Sequence, residues 1–220
     1  MDRTLCPRVK ICCISSIAEA WCAIDHGASA LGLVSDMPSG PGVISEDCIA
    51  RIARRVPPPV ATFLLTSKQD PYTIIEQQRS TGVNTIQICD RLEVRAYAIL
   101  RESLPGISLV QVIHITGGEA IDEACRVAPS VDALLLDSGN PSLPVKELGG
   151  TGRIHDWAVS RMIRESVDIP IFLAGGLNPG NVRLAIKEVG PFGVDVCSGV
   201  RTAEILDKGK LTEFFHNVSP

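Results

Sequence analysis

Residues 9–34 read VKICCISSIAEAWCAIDHGASALGLV, and this stretch decides the fold. Apart from Lys10, residues 9–14 are apolar; Val9, Ile11 and Ile14 are β-branched, and Cys12 and Cys13 are two adjacent thiols. Ser16 follows, with Glu19 three residues on, which is the spacing of a capping box that satisfies the first free N–H groups of a helix. That helix runs to about His26, and Gly27 is placed to stop it. Residues 30–34 are a second apolar run. An apolar strand, a helix and another apolar strand make one unit of a parallel sheet with a right-handed crossover.

Working outward, the unit repeats. The loop 36–42, DMPSGPG, is too rich in Gly and Pro for regular structure. Ser45-Glu46-Asp47 opens a second helix that ends before the prolines at 57–59. Strands are predicted at 60–65, 85–89, 109–115, 133–137, 169–173 and 193–197. Helices are predicted at 71–80, 93–103, 119–127, 156–165, 179–189 and, as a short closing turn, 211–216. The strands are nearly continuous apolar runs, as expected when both sheet faces are covered. Eight strand–helix units in 220 residues fit an α/β fold of the (β/α)8 TIM-barrel type. A doubly wound sheet fits less well, because the Gly-rich turns follow the later strands and not the first. With no linker or low-complexity tract, residues 1–220 read as a single barrel domain.

Composition narrows the function. The chain is 45% hydrophobic and 21% charged with a net charge of -4, which argues for a packed core and against disorder. There is no basic run and aromatics are only 4%, so a nucleic-acid partner is not expected. The opening MDRTLCPR has no apolar core of a signal peptide, and no apolar stretch is long enough to span a bilayer. A cytoplasmic protein without a membrane partner is the expectation. The eight cysteines are scattered, with no C-x-x-C and no Cys/His spacing of a zinc site. They read as reduced thiols with no metal.

In a (β/α)8 barrel the chemistry sits at the C-terminal ends of the strands. The residues expected there are Cys12 and Cys13, the loop 36–42, Cys89 and Asp90, His114, Asp137 to Asn140, Ala174-Gly175-Gly176, and Ser198-Gly199. One Gly pair alone would need no more than a tight βα turn. Gly175-Gly176 and Ser198-Gly199 together, with Gly149-Gly150-Thr151-Gly152, point to backbone N–H groups arranged around an oxyanion. Asp137 ends an apolar strand, and a carboxyl against an apolar mouth favours the protonated form that a general acid needs. A thiol at a strand tip is either an inert packing residue or, beside positive charge, a base. Lys10 shares the face of Cys12, and the two thiols should face opposite ways on an extended strand. Position alone does not choose between the thiols.

These residues resemble the phosphoribosylanthranilate isomerase family of tryptophan biosynthesis. Lys10 to Ser15, KICCIS, is similar to the family's K-I-C-G-[IL]-T. GASALGLV follows G-A-D-A-[LI]-G-F-V, LLLDS follows L-L-D-[ST], and GGTGRIHDW follows G-G-[ST]-G-x-x-F-D-W. LAGGLNPGNV and GVDVCSGV follow L-[SA]-G-G-L-x-P-x-N-V and G-[VL]-D-V-S-S-G-V in the same order. The resemblance implies an Amadori rearrangement of a small phosphorylated sugar-amine, with Asp137 as general acid and Cys12 as general base. It implies a phosphate held by Gly149, Gly150, Gly152, Gly175, Gly176, Ser198 and Gly199, no cofactor, and a monomer or homodimer.

The departures are local. The arginine expected to grip the substrate's aryl carboxylate is Gly42, the glycine after the base is Cys13, the histidine after strand 4 is Cys89, and the Glu after S-G-V is Arg201. Losing a bidentate guanidinium–carboxylate contact costs about 1.5–3 kcal/mol. Lys10, His114, Arg153 and Arg201 are therefore candidate substrate contacts. Three readings follow: the isomerase of phosphoribosylanthranilate, a related isomerase whose amine lacks the carboxylate, and a non-catalytic phosphosugar-binding barrel.

Overall fold

The computed structural model describes residues 6–219. Eight parallel strands form a closed barrel in sequential order: β1 (Arg8–Ile11), β2 (Ala30–Val34), β3 (Ala61–Thr66), β4 (Thr85–Ile88), β5 (Ser108–His114), β6 (Ala133–Asp137), β7 (Ile171–Leu173) and β8 (Gly193–Val196). Around them lie α1 (Ile17–Asp25), α2 (Glu46–Ala53), α3 (Pro71–Thr81), α4 (Val94–Ser103), α5 (Glu119–Val127), α6 (Trp157–Ser166), α7 (Val182–Val189) and α8 (Lys208–Val218). The barrel closes where Ile11 of β1 pairs with Val196 of β8. None of these helices is long and apolar enough to cross a membrane.

Local chemistry sets the element ends. The Ser16 hydroxyl accepts from Glu19 N at 3.1 Å, while the Glu19 carboxylate accepts from Ser15 N at 3.0 Å. Ser45, Asp70 and Asp156 cap α2, α3 and α6 in the same way. Side chains alternate on each strand, so two apolar layers result. One packs strands against helices. The other fills the barrel interior, where Phe63 and Phe172 meet edge to face at 5.9 Å.

Several features differ from expectation: β7 begins at Ile171 rather than 169, and α7 at Val182 rather than 179. Helix α8 begins at Lys208 rather than 211, because the Asp207 carboxylate accepts from both Gly209 N and Lys210 N. A small hairpin, β9 (Arg201–Thr202) with β10 (Ile205–Leu206), follows β8. Its turn puts Ala203 at φ 48° and Glu204 at φ 64°, a conformation that sequence usually signals with Asn or Gly.

Candidate active site

The strand ends converge on a cavity at the barrel mouth. Cys12 leaves β1 with its N–H bonded to Val196 O at 2.8 Å. Its Sγ and the Lys10 Nζ lie 2.8 and 3.0 Å from the point where a side chain on Gly32 would begin. Asp137 ends β6, is 6% exposed, and one of its oxygens accepts from Ser138 N at 2.8 Å. Cys12 and Asp137 line the same cavity.

Lys10 is fully buried, pairs with Asp195 at 2.9 Å, and sits 5.3 Å from the Phe63 ring centre. Burial alone would lower its pKa, but Asp195 and then Cys12 outweigh burial and hold it charged. The Cys12 thiol is held below its ordinary value, chiefly by the neighbouring Cys13 thiol; burial opposes this and the Lys10 charge assists it. A thiolate at this position has the electrostatics of a base. Cys89, buried beneath, is pushed up to about 12 by burial and the nearby Cys12, and stays a neutral thiol.

The expectation that Cys12 and Cys13 face opposite ways does not hold. Strand β1 ends at Ile11 and Cys13 takes φ 60°, so the chain turns instead of alternating. Both thiols line the cavity. Gly42 explains part of the space. Its φ is +79°, and a side chain there would begin 2.5 Å from Cys13 Cβ. The side-chain volume that the family pattern places at 42 is here occupied by Cys13.

Gly149, Gly150, Gly152, Gly175, Gly176 and Ser198 all line the cavity. Among the described residues, the amides of Gly175 and Gly176 donate to no protein acceptor. Asn181 and Asn178 instead donate to the Gly176 carbonyl at 3.0 and 3.3 Å, which fixes the turn. A side chain on Gly176, at φ +62°, would begin 2.8 Å from the carbonyl carbon of Arg153. Gly199 packs behind the rim, with no room for a side chain beside Leu177 and Asn178.

The four candidate contacts lie elsewhere. Lys10 sits beneath the floor and reaches the cavity only through Asp195 and Cys12. His114 is buried in the barrel, with Nε2 bonded to the Cys89 carbonyl at 2.9 Å. Arg153 is 56% exposed and pairs with Glu147. Arg201 pairs with Glu19 at 2.8 Å and donates to the Cys13 and Cys12 carbonyls at 2.6 and 3.4 Å. It borders a shallower recess next to Gly42 and Cys13, where it holds the turn that follows the base. Among the described residues no Arg or Lys lines the main cavity, and no group of His, Cys, Asp and Glu is arranged to hold a metal.

One residue escaped the sequence reading. Gln87 is 3% exposed, lines the cavity, and its Oε1 has no protein partner. A polar residue in the middle of the apolar run TIQI was the available signal. A loop roof crosses the mouth nearby: Ser39 donates to the Lys146 carbonyl at 2.7 Å, and Lys146 pairs with Asp90.

Comparison with known proteins agrees with this geometry. The family model described as N-(5'phosphoribosyl)anthranilate (PRA) isomerase matches residues 9–217. N-(5'-phosphoribosyl)anthranilate isomerase 2 of Methanosarcina mazei is 34% identical over 211 residues, covering 95% of this chain and 92% of that protein. The isomerase of Halobacterium salinarum is 37% identical over 196 residues, covering 88% and 86%. The crystal structure of phosphoribosyl anthranilate isomerase from Thermotoga maritima superposes with a TM-score of 0.83 at 28% identity, covering 96% and 98%. A structure of such an isomerase in complex with reduced 1-(o-carboxyphenylamino)-1-deoxyribulose 5-phosphate gives 0.81 at 26% identity, again covering 96% and 98%. With a matching family model along nearly its whole length and relatives above 30% identity, the chain belongs to the N-(5'-phosphoribosyl)anthranilate isomerase family.

Proposed function

We propose that this chain converts N-(5'-phosphoribosyl)anthranilate to its 1-deoxyribulose phosphate isomer, in the cytoplasm, as a step of tryptophan biosynthesis. The observation that carries the reading is that Cys12 and Asp137 border one cavity next to free backbone amides. The sugar phosphate lies against the turns at Gly175-Gly176 and Ser198-Gly199. Asp137 protonates the furanose ring oxygen and the ring opens to an imine. The Cys12 thiolate removes the C2′ proton, and the resulting enolamine tautomerises to the ketone. Gln87 Oε1 accepts from a sugar hydroxyl. The base must begin without its proton, and Cys12 has the buried Lys10 cation behind it.

The test is steady-state turnover of the anthranilate adduct by folded protein. Turnover abolished by Cys12→Ser and by Asp137→Asn supports the reading; no turnover above background rejects it. A second reading has its own support, because Gly42 is packed against Cys13 and, among the described residues, no Arg or Lys lines the cavity. In that reading the chemistry is the same and the amine carries no carboxylate. A panel of phosphoribosylamines with and without an aryl carboxylate separates the two.

A further inference from the structure

Two thiols that the proposed reaction does not consume touch at the cavity rim. Cys197 Sγ lies 2.8 Å from Cys13 Sγ, about 0.8 Å beyond the ~2.05 Å of a disulfide bond. The two residues leave adjacent strands side by side, since Ile11 pairs with Val196 and Cys12 N bonds the Val196 carbonyl. Each stands where the family pattern has another residue: Cys13 for a glycine and Cys197 for a serine. The pair exists because both departures occur in one chain. Both sulfurs border the main cavity and also the recess beside Arg201, and Cys197 is only half-buried, so an oxidant reaches them from the mouth.

We propose that Cys13 and Cys197 form a dithiol modification site, which a disulfide oxidant of the glutathione class converts into a reversible cross-link between the ends of β1 and β8, slowing the isomerase. Cys197, the more exposed thiol, attacks the oxidant as its thiolate, forms a mixed disulfide and releases one glutathione thiolate. Cys13 then gives its proton to solvent, attacks the Cys197 sulfur and releases the second glutathione. Two protein thiols are oxidised and one glutathione disulfide is reduced. Cys13 is buried and Cys197 half-buried, which assigns the first attack to Cys197. The cost to catalysis follows from where the pair sits. Cys13 and Cys197 line the cavity next to Cys12, so a bond between their sulfurs reshapes the wall against the base.

The full chain is equilibrated in glutathione buffers of rising disulfide share, acid-quenched, alkylated and mapped by mass spectrometry, with turnover read on the same samples. The expected result is a Cys13–Cys197 peptide, at least a tenfold fall in kcat/KM, and reversal of both by dithiothreitol. Cys197→Ser keeps its basal turnover and resists the oxidant; Cys197→Ala serves if the serine variant folds poorly. A bond through Cys12 instead, glutathione adducts without an internal bond, an intact rate in cross-linked protein, or a Cys197→Ser variant as sensitive as the parent would each overturn the proposal. The peptide map decides the cross-link even if the assigned substrate proves wrong.

Discussion

At the ends of β7 and β8 the cavity wall is backbone: Gly175, Gly176 and the Ser198 turn, with the Gly176 carbonyl held by Asn178 and Asn181. Beside it, at the ends of the neighbouring strands β1 and β2, the wall is side chain: Cys12, Cys13 and the loop at Gly40 and Pro41. The glycines of the backbone side match the family pattern, and the departures fall at side-chain positions on both sides: Gly42 and Cys13 on one, Cys197 and Arg201 on the other. The reason is steric. A turn whose α-carbons already touch the neighbouring loop accepts no substituent, as at Gly176. A side-chain wall accepts a trade, as when volume at position 42 is exchanged for a thiol at 13. On the proposed reading, the phosphate side is fixed by the fold and the amine side is adjustable.

The largest expected effect breaks the comparison at its centre. Asp137→Asn should fold normally and lower kcat by ~10²–10⁴-fold, the usual contribution of a general acid; circular dichroism and steady-state assay check both parts. Next comes the ion pair that ties the two sides together. Lys10→Met leaves Asp195 buried without its partner, which costs about 3–5 kcal/mol in denaturant unfolding.

Smaller effects sharpen the contrast between the walls. Gly176→Ala forces a side chain into the left-handed region against Arg153, at about 1–3 kcal/mol. Its KM for the phosphorylated substrate should rise roughly tenfold, with a smaller change in kcat. Cys13→Gly should do the reverse, leaving phosphate affinity alone and moving the pH profile. In the proposed mechanism the base is the Cys12 thiolate, so activity should rise as pH passes through the Cys12 pKa, which lies below the ordinary thiol value. Removing the Cys13 thiol removes the largest cause of that lowering, so the acid limb of kcat/KM moves to higher pH. The glycine also relieves φ 60° at this position and should raise Tm slightly.

Much of this was legible in the sequence. The barrel follows from eight apolar runs alternating with capped helices, signals that reside in a few neighbouring residues such as Ser16 and Glu19. Asp137 and the Gly turns could be placed because a barrel puts every strand end on one side. What was not legible depends on distant contacts. Cys13 breaks the strand alternation at a backbone angle that only the packing of Gly42 against it makes sensible. Arg201 looked like a ligand contact, yet the ion pair with Glu19 and the Cys12 and Cys13 carbonyls use its donors. The β9–β10 turn lacks Gly and Asn altogether. The Cys13–Cys197 contact joins residues 184 apart in the chain, and no local pattern reports it.

The central claim is that a sulfur from β1 and a carboxyl from β6 act on one sugar whose phosphate rests on the β7 and β8 turns. A crystal structure with the reduced deoxyribulose phosphate analogue tests it most directly. The account predicts phosphate oxygens within ~2.7–3.2 Å of the Gly175 and Gly176 amides, with Cys12 Sγ and the Asp137 carboxyl both against the sugar carbons and oxygens between phosphate and amine. A phosphate bound away from these turns, or a sugar that Cys12 and Asp137 do not both touch, would contradict it.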